Sequence, residues 1–237
     1  MRSGRAALAA LALLATPSPA APVTVDALTD DRRRGLSWSE GRAAARIGAG
    51  VTPLAGVRLD AAVASLRGSR RHGGADAGVD LSATVRRDMG AVQIDAGVVA
   101  HVFAGGRGPL DYAEVQAGAR TLIGPLDLDA YAAYAPAQRA IGGDNLYLGL
   151  RGRVAVVGTP YTLVAGIGRS SGDADDRVRA ARLRPGGAYL DWQIGAEHVR
   201  GRLALGIFYT GTDIGAAERG PARHAGDAVT GRLTLTL

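Results

Sequence analysis

The sequence predicts an all-β protein, specifically a transmembrane antiparallel β-barrel of about 12 strands. Apolar and polar residues alternate along most of the chain in runs of about ten residues, the length of a tilted membrane-spanning strand. The connections between these runs alternate between short and long, as in outer-membrane barrels. One face of the runs is nearly uncharged, and the other carries both acids and arginines. Together these observations favour a barrel in a membrane over a soluble sandwich.

The first residues are typical of an export signal rather than of the barrel. Two arginines precede an apolar run over residues 6–15, and small residues follow at positions 18–20. A run of about ten residues is too short to cross a membrane as a helix. We therefore expect a cleaved signal peptide over residues 1–20 and a single barrel domain over residues 21–237.

Composition excludes several classes of protein. The 237 residues carry a formal net charge of +6 and contain no cysteine, and every basic residue is arginine. These arginines are scattered among acids along the strands rather than clustered on a helix, so no nucleic-acid partner is predicted. No later run approaches the length of about 18 apolar residues that a membrane helix needs.

The clearest pair of strands lies at residues 188–199 and 202–212. Apolar residues such as Ile194 occupy one parity of the first run, while Gln193 and other polar residues occupy the other. Side chains alternate between faces along a strand, so one face meets lipid and the other the lumen. Two residues separate the runs, which is enough for a tight hairpin.

The rest of the mature chain repeats this hairpin. The connections after the second, fourth, sixth, eighth and tenth runs are tight, and most of the others are longer and rich in glycine and charge. The predicted strands are 23–38, 42–51, 57–66, 77–86, 91–103, 112–123, 125–134, 145–154, 160–168, 188–199, 202–212 and 227–237.

Parity predicts which side chains line a pore. Charged groups of both signs on the inner face can pair, which offsets the cost of desolvating them. The predicted pore-lining residues are Arg58, Asp60, Asp80, Arg86, Asp95, His101, Glu114, Arg120, Asp127, Asp129, Arg151, Arg153, Asp191, Glu197 and Arg232.

Two further sets of residues belong to this prediction. Inward-facing glycines are expected to leave free space in the lumen, namely Gly97, Gly118, Gly149, Gly166, Gly195 and Gly206. Tyrosines near strand ends are expected at the membrane interfaces, where aromatic residues are enriched, namely Tyr112, Tyr134, Tyr161, Tyr189 and Tyr209.

The residues offer no catalytic or metal site. The chain has no lysine for a phosphate-binding loop, no G-x-S-x-G turn, and four dispersed histidines with no cysteine for zinc. Asp173, Asp175 and Asp176 lack the glycine and distal glutamate of a calcium loop. His101 falls on the inner face without a nearby serine, and His198 falls on the apolar parity. We predict no enzyme activity, no cofactor and no bound metal.

Four segments, in order along the chain, resemble the TorF family of small porins from the outer membrane of Gram-negative bacteria. The family's first segment, D-Y-R-F-R-G-I-S-x-S, is similar to residues 30–39, DDRRRGLSWS. Its Y-x-E segment matches Tyr112-Ala113-Glu114, its Y-x-D-W-x-L-G segment matches residues 189–195, and its Y-x-x-T-D segment matches residues 209–213. The resemblance implies an outer-membrane barrel with a pore, no catalytic residues and no established substrate.

The predicted function is a porin-like channel through which small hydrophilic solutes diffuse passively. A non-conducting structural or adhesive barrel and a secreted soluble β-sandwich that binds a ligand are the alternatives. The expected partners are outer-membrane lipid, the barrel assembly machinery and lipopolysaccharide, whose phosphates suit arginine forks. The loop arginines expected to meet lipopolysaccharide are Arg67, Arg70, Arg71, Arg177, Arg179, Arg182 and Arg184.

Overall fold

A computed structural model describes residues 22–216 and 224–237. The predicted signal peptide lies outside these residues. Twelve strands form one closed antiparallel barrel in the order β1-β14-β13-β12-β11-β10-β9-β8-β7-β6-β5-β4, which confirms the predicted fold. The strands are β1 (Val23–Leu28), β2 (Arg32–Arg33), β3 (Leu36–Ser37), β4 (Ala44–Leu54), β5 (Val57–Ser69), β6 (Ala75–Met89), β7 (Val92–Ala104), β8 (Tyr112–Ile123), β9 (Leu126–Gln138), β10 (Gly143–Ala155), β11 (Tyr161–Ser171), β12 (Tyr189–Arg200), β13 (Leu203–Thr212) and β14 (Ala228–Thr236).

Helical structure is minor. A single 3₁₀ turn spans Arg70–His72, and the short helix α1 spans Arg177–Ala180. Asp176 caps α1 by accepting hydrogen bonds from the backbone N–H groups of Val178 and Arg179. Among the described residues, no helix is long and apolar enough to span a membrane.

The short strand β1 closes the barrel. Val25 pairs with Leu235 of β14 on one side and with Ile47 of β4 on the other. The backbone N–H of Leu237 also donates to the carbonyl oxygen of Val23 at 2.9 Å. Each of the twelve barrel strands therefore has a paired neighbour on both sides.

The two ends of the barrel differ in their connections. At one end, here called the turn end, most strands are joined by two residues, as at 55–56 and 201–202. Gly56 and Gly201 adopt positive φ angles of 77° and 60°, the backbone that tight hairpins require and glycine permits. The opposite end, here called the loop end, carries the long connections. This segregation agrees with the alternation of connection lengths in the sequence.

The outer face of the barrel is apolar, as parity predicted. Ile194 and Ile207 are each 60% exposed, and Val98 is 53% exposed. The register places Ile194 beside Ala165 of β11 and Tyr209 of β13, so apolar or aromatic side chains form a continuous outer surface across strands. Water would not favour so much exposed apolar surface, whereas lipid would.

The first predicted strand, residues 23–38, is wrong in its second half. Strand β1 ends at Leu28, and residues 30–41, here called the lumenal hairpin, fold into the barrel with β2 paired to β3. The turn of this hairpin is Arg34-Gly35, with φ angles of 51° and 72°. Residues 30–34 are all charged, so continuing the strand would have placed charges against lipid.

An apolar cluster fills the loop end of the lumen. It combines Trp38 of the lumenal hairpin with strand residues such as Leu66 and loop residues such as Ile141, the last two being almost fully buried. The loop-end cluster comprises Trp38, Leu66, Ala75, Phe103, Leu110, Tyr112, Ala135, Ala140, Ile141 and Leu183. The hairpin is thus part of a packed core rather than a free loop.

The predicted belt of tyrosines is only partly right. Tyr134, Tyr161 and Tyr209 are 40–51% exposed on the outer face. Tyr112 and Tyr189 are instead 5% and 3% exposed, and the Tyr189 hydroxyl donates to the carbonyl oxygen of Arg34 in the lumenal hairpin. These two face inward because they fall on the same parity as Glu114 and Asp191.

Candidate functional site: the barrel lumen

The predicted pore-lining side chains all lie on the inward parity of their strands. Register pairs such as Arg86 with Asp95, and Arg120 with Asp129, lie side by side on the inner wall. Gln193, also assigned to the lumen, lines a lumenal cavity. That these groups line a conducting pore stays a prediction.

Buried ion pairs hold the lumenal hairpin against strands β6 and β8. Arg34 donates to both carboxylate oxygens of Glu114, at 2.8 and 2.6 Å, and the Glu114 side chain is fully buried. Arg33 donates to Asp80 at 2.9 Å. Burial acts to lower the pKa of Arg34, but the adjacent Glu114 carboxylate outweighs burial and the net pKa shift is upward. Bidentate pairing of this kind fixes the orientation of the hairpin.

A second network holds the base of the hairpin. The Asp30 carboxylate accepts hydrogen bonds from Ser39 at 2.9 Å and from Arg32 at 3.1 Å. Arg32 also donates to the Thr210 hydroxyl and to the backbone carbonyl oxygen of Gly226, both at 2.8 Å. The hairpin is therefore linked to β13 as well as to β6 and β8.

The lumen contains cavities at the turn end and beside the lumenal hairpin. A cavity of about 630 Å³ at the turn end is lined by charged side chains of β6 to β10, including Asp95 and Asp129. A second cavity, of about 310 Å³, lies between the lumenal hairpin and strands β10 to β14. Tyr131 and Arg151 line both cavities, so these two residues mark the place where the cavities meet.

Most charges around the cavities are paired. Arg120 pairs with Asp127 at 2.5 Å, and Arg153 pairs with Glu197 at 2.5 Å. Arg232 shares the same Glu197 carboxylate. By contrast, Arg151 forms no hydrogen bond or ion pair with any residue in the two described ranges, and it is exposed to the lumen.

The prediction of free space at the inward glycines is wrong for most of them. A Cβ atom on Gly149 would lie 2.5 Å from the ring of Tyr131, and one on Gly195 would lie 2.5 Å from the ring of Phe208. Gly206 likewise faces Phe208, Gly118 faces Asp95, and Gly97 faces the backbone of β6. At Gly166 the nearest atom to an added Cβ is 3.5 Å away, so space remains there.

Several lumenal residues were missed from the sequence. Arg33 and Arg34 were assigned to a strand, although the run of charges at residues 30–34 was a signal that the strand had ended. Tyr131 and Phe208 fall on the inward parity among small residues, and their role in filling the space above glycines on neighbouring strands depends on register. Local alternation carries no information about that register.

The loop arginines are only partly available to lipopolysaccharide. Arg71, Arg182 and Arg184 are 5–8% exposed, so the prediction that they meet lipopolysaccharide is wrong. Arg182 donates to the carbonyl oxygens of Leu110 and Ala140 at 3.0 and 2.6 Å, which joins two loops. Burial lowers the pKa of Arg71 to about 10. Arg67, Arg70 and Arg177 are exposed, and Arg179 is half-buried.

The histidines contact groups other than hydroxyls. His101 Nδ1 lies 2.8 Å from a carboxylate oxygen of Asp80. His198 packs on the outer face against the ring of Tyr161, at 5.1 Å between centroids. Within the described ranges, no group of three or more His, Asp or Glu side chains is arranged to hold a metal ion.

Solved structures with this architecture include porins and a channel. The NanC porin has a TM-score of 0.61 at 9% identity, with 92% of this chain and 99% of that chain covered. The KdgM porin has a TM-score of 0.58 at 7% identity, covering 91% and 97%. An outer membrane channel from Pseudomonas putida F1 has a TM-score of 0.57 at 13% identity, covering 94% and 97%. At these identities the likeness establishes the fold.

Sequence comparison adds one family. Residues 16–236 match the model of a family described as a bacterial protein of unknown function, Gcw_chp. No curated protein matches the sequence. The more specific resemblance to the TorF family stays a prediction.

Proposed function

The chain belongs to the Gcw_chp family of bacterial proteins of unknown function, and we propose that it is a porin-like channel of the outer membrane. It passes small hydrophilic solutes by diffusion. Passive passage needs no catalytic residue and no cofactor. The closed barrel, with its apolar exterior, does not suit the alternative of a secreted soluble sandwich.

The observation that carries the proposal is the contrast between the two faces of the barrel wall. The outer face is apolar, whereas the inner face holds charged side chains around cavities of about 630 and 310 Å³. A barrel of about 12 strands is wider than the eight-stranded barrels that side chains fill, and narrower than the 16–18-stranded porins with wide channels. The fold shared with proteins named as porins supports the same class.

The lumenal hairpin sets the expected size of the current. Because the hairpin and the loop-end cluster occupy the loop end of the lumen, we expect a narrow passage and a low conductance. Both signs of charge surround the passage, so selectivity between small ions is expected to be weak. A barrel blocked completely by the hairpin would be the non-conducting structural protein considered above.

Location follows from the same proposal. The predicted signal peptide at residues 1–20 directs export, and the barrel then inserts into the outer membrane through the assembly machinery. The short connections face the periplasm and the long ones face outward, as is usual for such barrels. The protein should fractionate with outer membranes and require detergent for extraction.

Single-channel recording tests the proposal. The mature chain is refolded in detergent, checked for heat-modifiable migration on gels, and added to a planar bilayer. We expect stepwise currents of low conductance in potassium chloride. Folded protein that inserts but carries no current would overturn the channel in favour of the non-conducting barrel, and recovery as a soluble periplasmic species would overturn both.

A further inference from the structure

Arg151, at the junction of the two lumenal cavities, has no ion-pair partner among residues 22–216 and 224–237. Its neighbour on the same face, Arg153, pairs with Glu197, and Arg120 on β8 pairs with Asp127. Arg151 has Asp129 as its register partner on β9, yet no ion pair forms between them. Its guanidinium lines both cavities, and the carboxylates of Asp129 and Asp191 act on it electrostatically without forming an ion pair.

Gly166 lies next to Arg151 on the inner wall of the barrel. On β11, Gly166 is the register partner of both Arg151 on β10 and Gln193 on β12. Adjacent strands lie about 4.8 Å apart, so Arg151 and Gln193 flank Gly166 with about 10 Å between their backbones. The Gln193 amide has no hydrogen bond to the described part of the chain, and no ring fills the place above Gly166. The row Arg151–Gly166–Gln193 therefore forms an open cradle with donors on both sides.

The chemistry of this cradle matches an oxyanion. A guanidinium presents two parallel N–H groups to the oxygens of a carboxylate or phosphate, and an amide NH₂ adds a further donor. The cavity of about 310 Å³ that Arg151 and Gln193 line falls within the range of small-molecule sites. The other arginines of its lining pair with carboxylates, so Arg151 is the arginine of this cavity that is left to bind a negatively charged occupant.

We propose that the cradle of Arg151, Gly166 and Gln193 is a binding site for the oxyanion group, a carboxylate or a phosphate, of a small hydrophilic solute. Arg151 binds the charge, Gln193 donates to a second oxygen, and the missing side chain at Gly166 provides the space. The site names the class of solute for the proposed channel and so rests on that function, but its occupancy is measurable without any current.

Calorimetric titration of the refolded full chain in detergent micelles tests the site. The probes are gluconate, which carries a carboxylate, glucose 6-phosphate, which carries a phosphate, and sorbitol, which has gluconate's carbon chain without the charge. We expect both anions to bind more tightly than sorbitol, and the tighter of the two identifies the preferred oxyanion. Gluconate and glucose 6-phosphate binding no better than sorbitol would overturn the proposal.

Matched variants separate the cradle from the general charge of the lumen. Arg151→Gln should weaken binding of the anions by about tenfold, the loss typical of a hydrogen-bonded charge. Arg58→Gln removes the same charge from an inward arginine that lines neither cavity, and should change binding by less than about twofold because salt screens distant charges. Equal weakening by the two variants would overturn the local site.

A third variant tests whether the free space at Gly166 is needed for binding. Gly166→Val keeps every charge, suits a strand, and fills the gap above Gly166, so the anions should bind severalfold more weakly. All variants must keep the heat-modifiable migration of the folded barrel. Should this one fail to fold, the comparison of Arg151→Gln with Arg58→Gln still decides the matter. Binding in micelles without current in bilayers would refute the channel and leave the site, whereas current without binding would refute the site and leave the channel.

Discussion

At the loop end of the barrel, Trp38 and Leu66 are buried and the Arg34–Glu114 pair is enclosed, whereas at the turn end a charged cavity of about 630 Å³ remains. The same strands build both ends. The difference arises from the segments that connect the strands: the lumenal hairpin and five connections at the loop end, and mostly two-residue turns at the turn end. Loop-end side chains should therefore carry stability, and turn-end side chains should carry solute selectivity.

Removing the lumenal hairpin should give the largest change. Replacing residues 30–41 with a short glycine-serine linker removes none of the twelve barrel strands. We expect conductance to rise severalfold because the loop-end half of the lumen becomes open to water. Bilayer recordings of both proteins at the same salt concentration provide the measurement. An unchanged conductance would show that the hairpin does not limit the passage and would erase the functional difference between the ends.

Breaking one ion pair at each end sharpens the comparison. Glu114→Gln leaves the Arg34 guanidinium without its counter-charge in an enclosed site, and should lower the free energy of unfolding by about 3–5 kcal/mol. Asp127→Asn at the turn end leaves Arg120, whose side chain is 51% exposed, in water and should cost about 0–1 kcal/mol. Urea unfolding of both variants in vesicles measures the difference. Similar losses for the two variants would contradict the distinction between an enclosed loop end and a water-exposed turn end.

Two neighbouring residues on β12 test which face of the barrel wall is inner and which is outer. Ile194→Arg places a charge against lipid near mid-strand and should cost about 2–4 kcal/mol of folding free energy. Gln193→Arg places the same charge in the lumen, should fold nearly normally, and should shift the current toward anions. Refolding yields in vesicles and reversal potentials are the measurements. A greater loss for Gln193→Arg would reverse the assignment of the inner and outer faces.

The smallest expected effect is a pH dependence confined to the loop end. His72 follows β5, is fully buried, and lies against the rings of Trp38 and Phe103. Burial first, and then the positive charges of Arg182 and Arg71, hold the pKa of His72 well below its usual value. Because the unfolded chain takes up this proton below about pH 6.5 and the folded chain does not, His72 should lower stability as the pH falls, by about 1.4 kcal/mol per unit at most.

A substitution isolates this histidine from the other titrating groups. His72→Phe keeps an aromatic ring beside Trp38 and Phe103 but takes up no proton. The free energy of unfolding of the natural protein, relative to that of His72→Phe, should be constant above about pH 7 and should fall below about pH 6.5. Denaturant titrations from pH 7.5 to pH 5.5 measure it. A difference that stays constant across this range would contradict the burial of a neutral histidine.

Much of the wall was predictable, because it depends on local geometry. The number of long strands, the outward direction of Ile194 and the inward direction of Asp80 and Glu114 all followed from alternation with a period of two. The residue at which the first strand ends and the burial of several loop arginines were not predictable in this way. Their placement depends on partners on other strands and loops rather than on neighbours in the sequence.

The sequence by itself determined a barrel of twelve alternating strands with an apolar outside and a charged inside, because each strand's parity is a property of its own backbone. Only the tertiary structure decided that residues 30–41 turn inward. Arg33 meets Asp80 across 47 residues, and Arg34 meets Glu114 across 80. Tertiary structure also decided that Tyr131 covers Gly149 while Gly166 stays open. Such contacts arise only when the sheet closes, since closure brings distant strands around one lumen and sets which side chains share it.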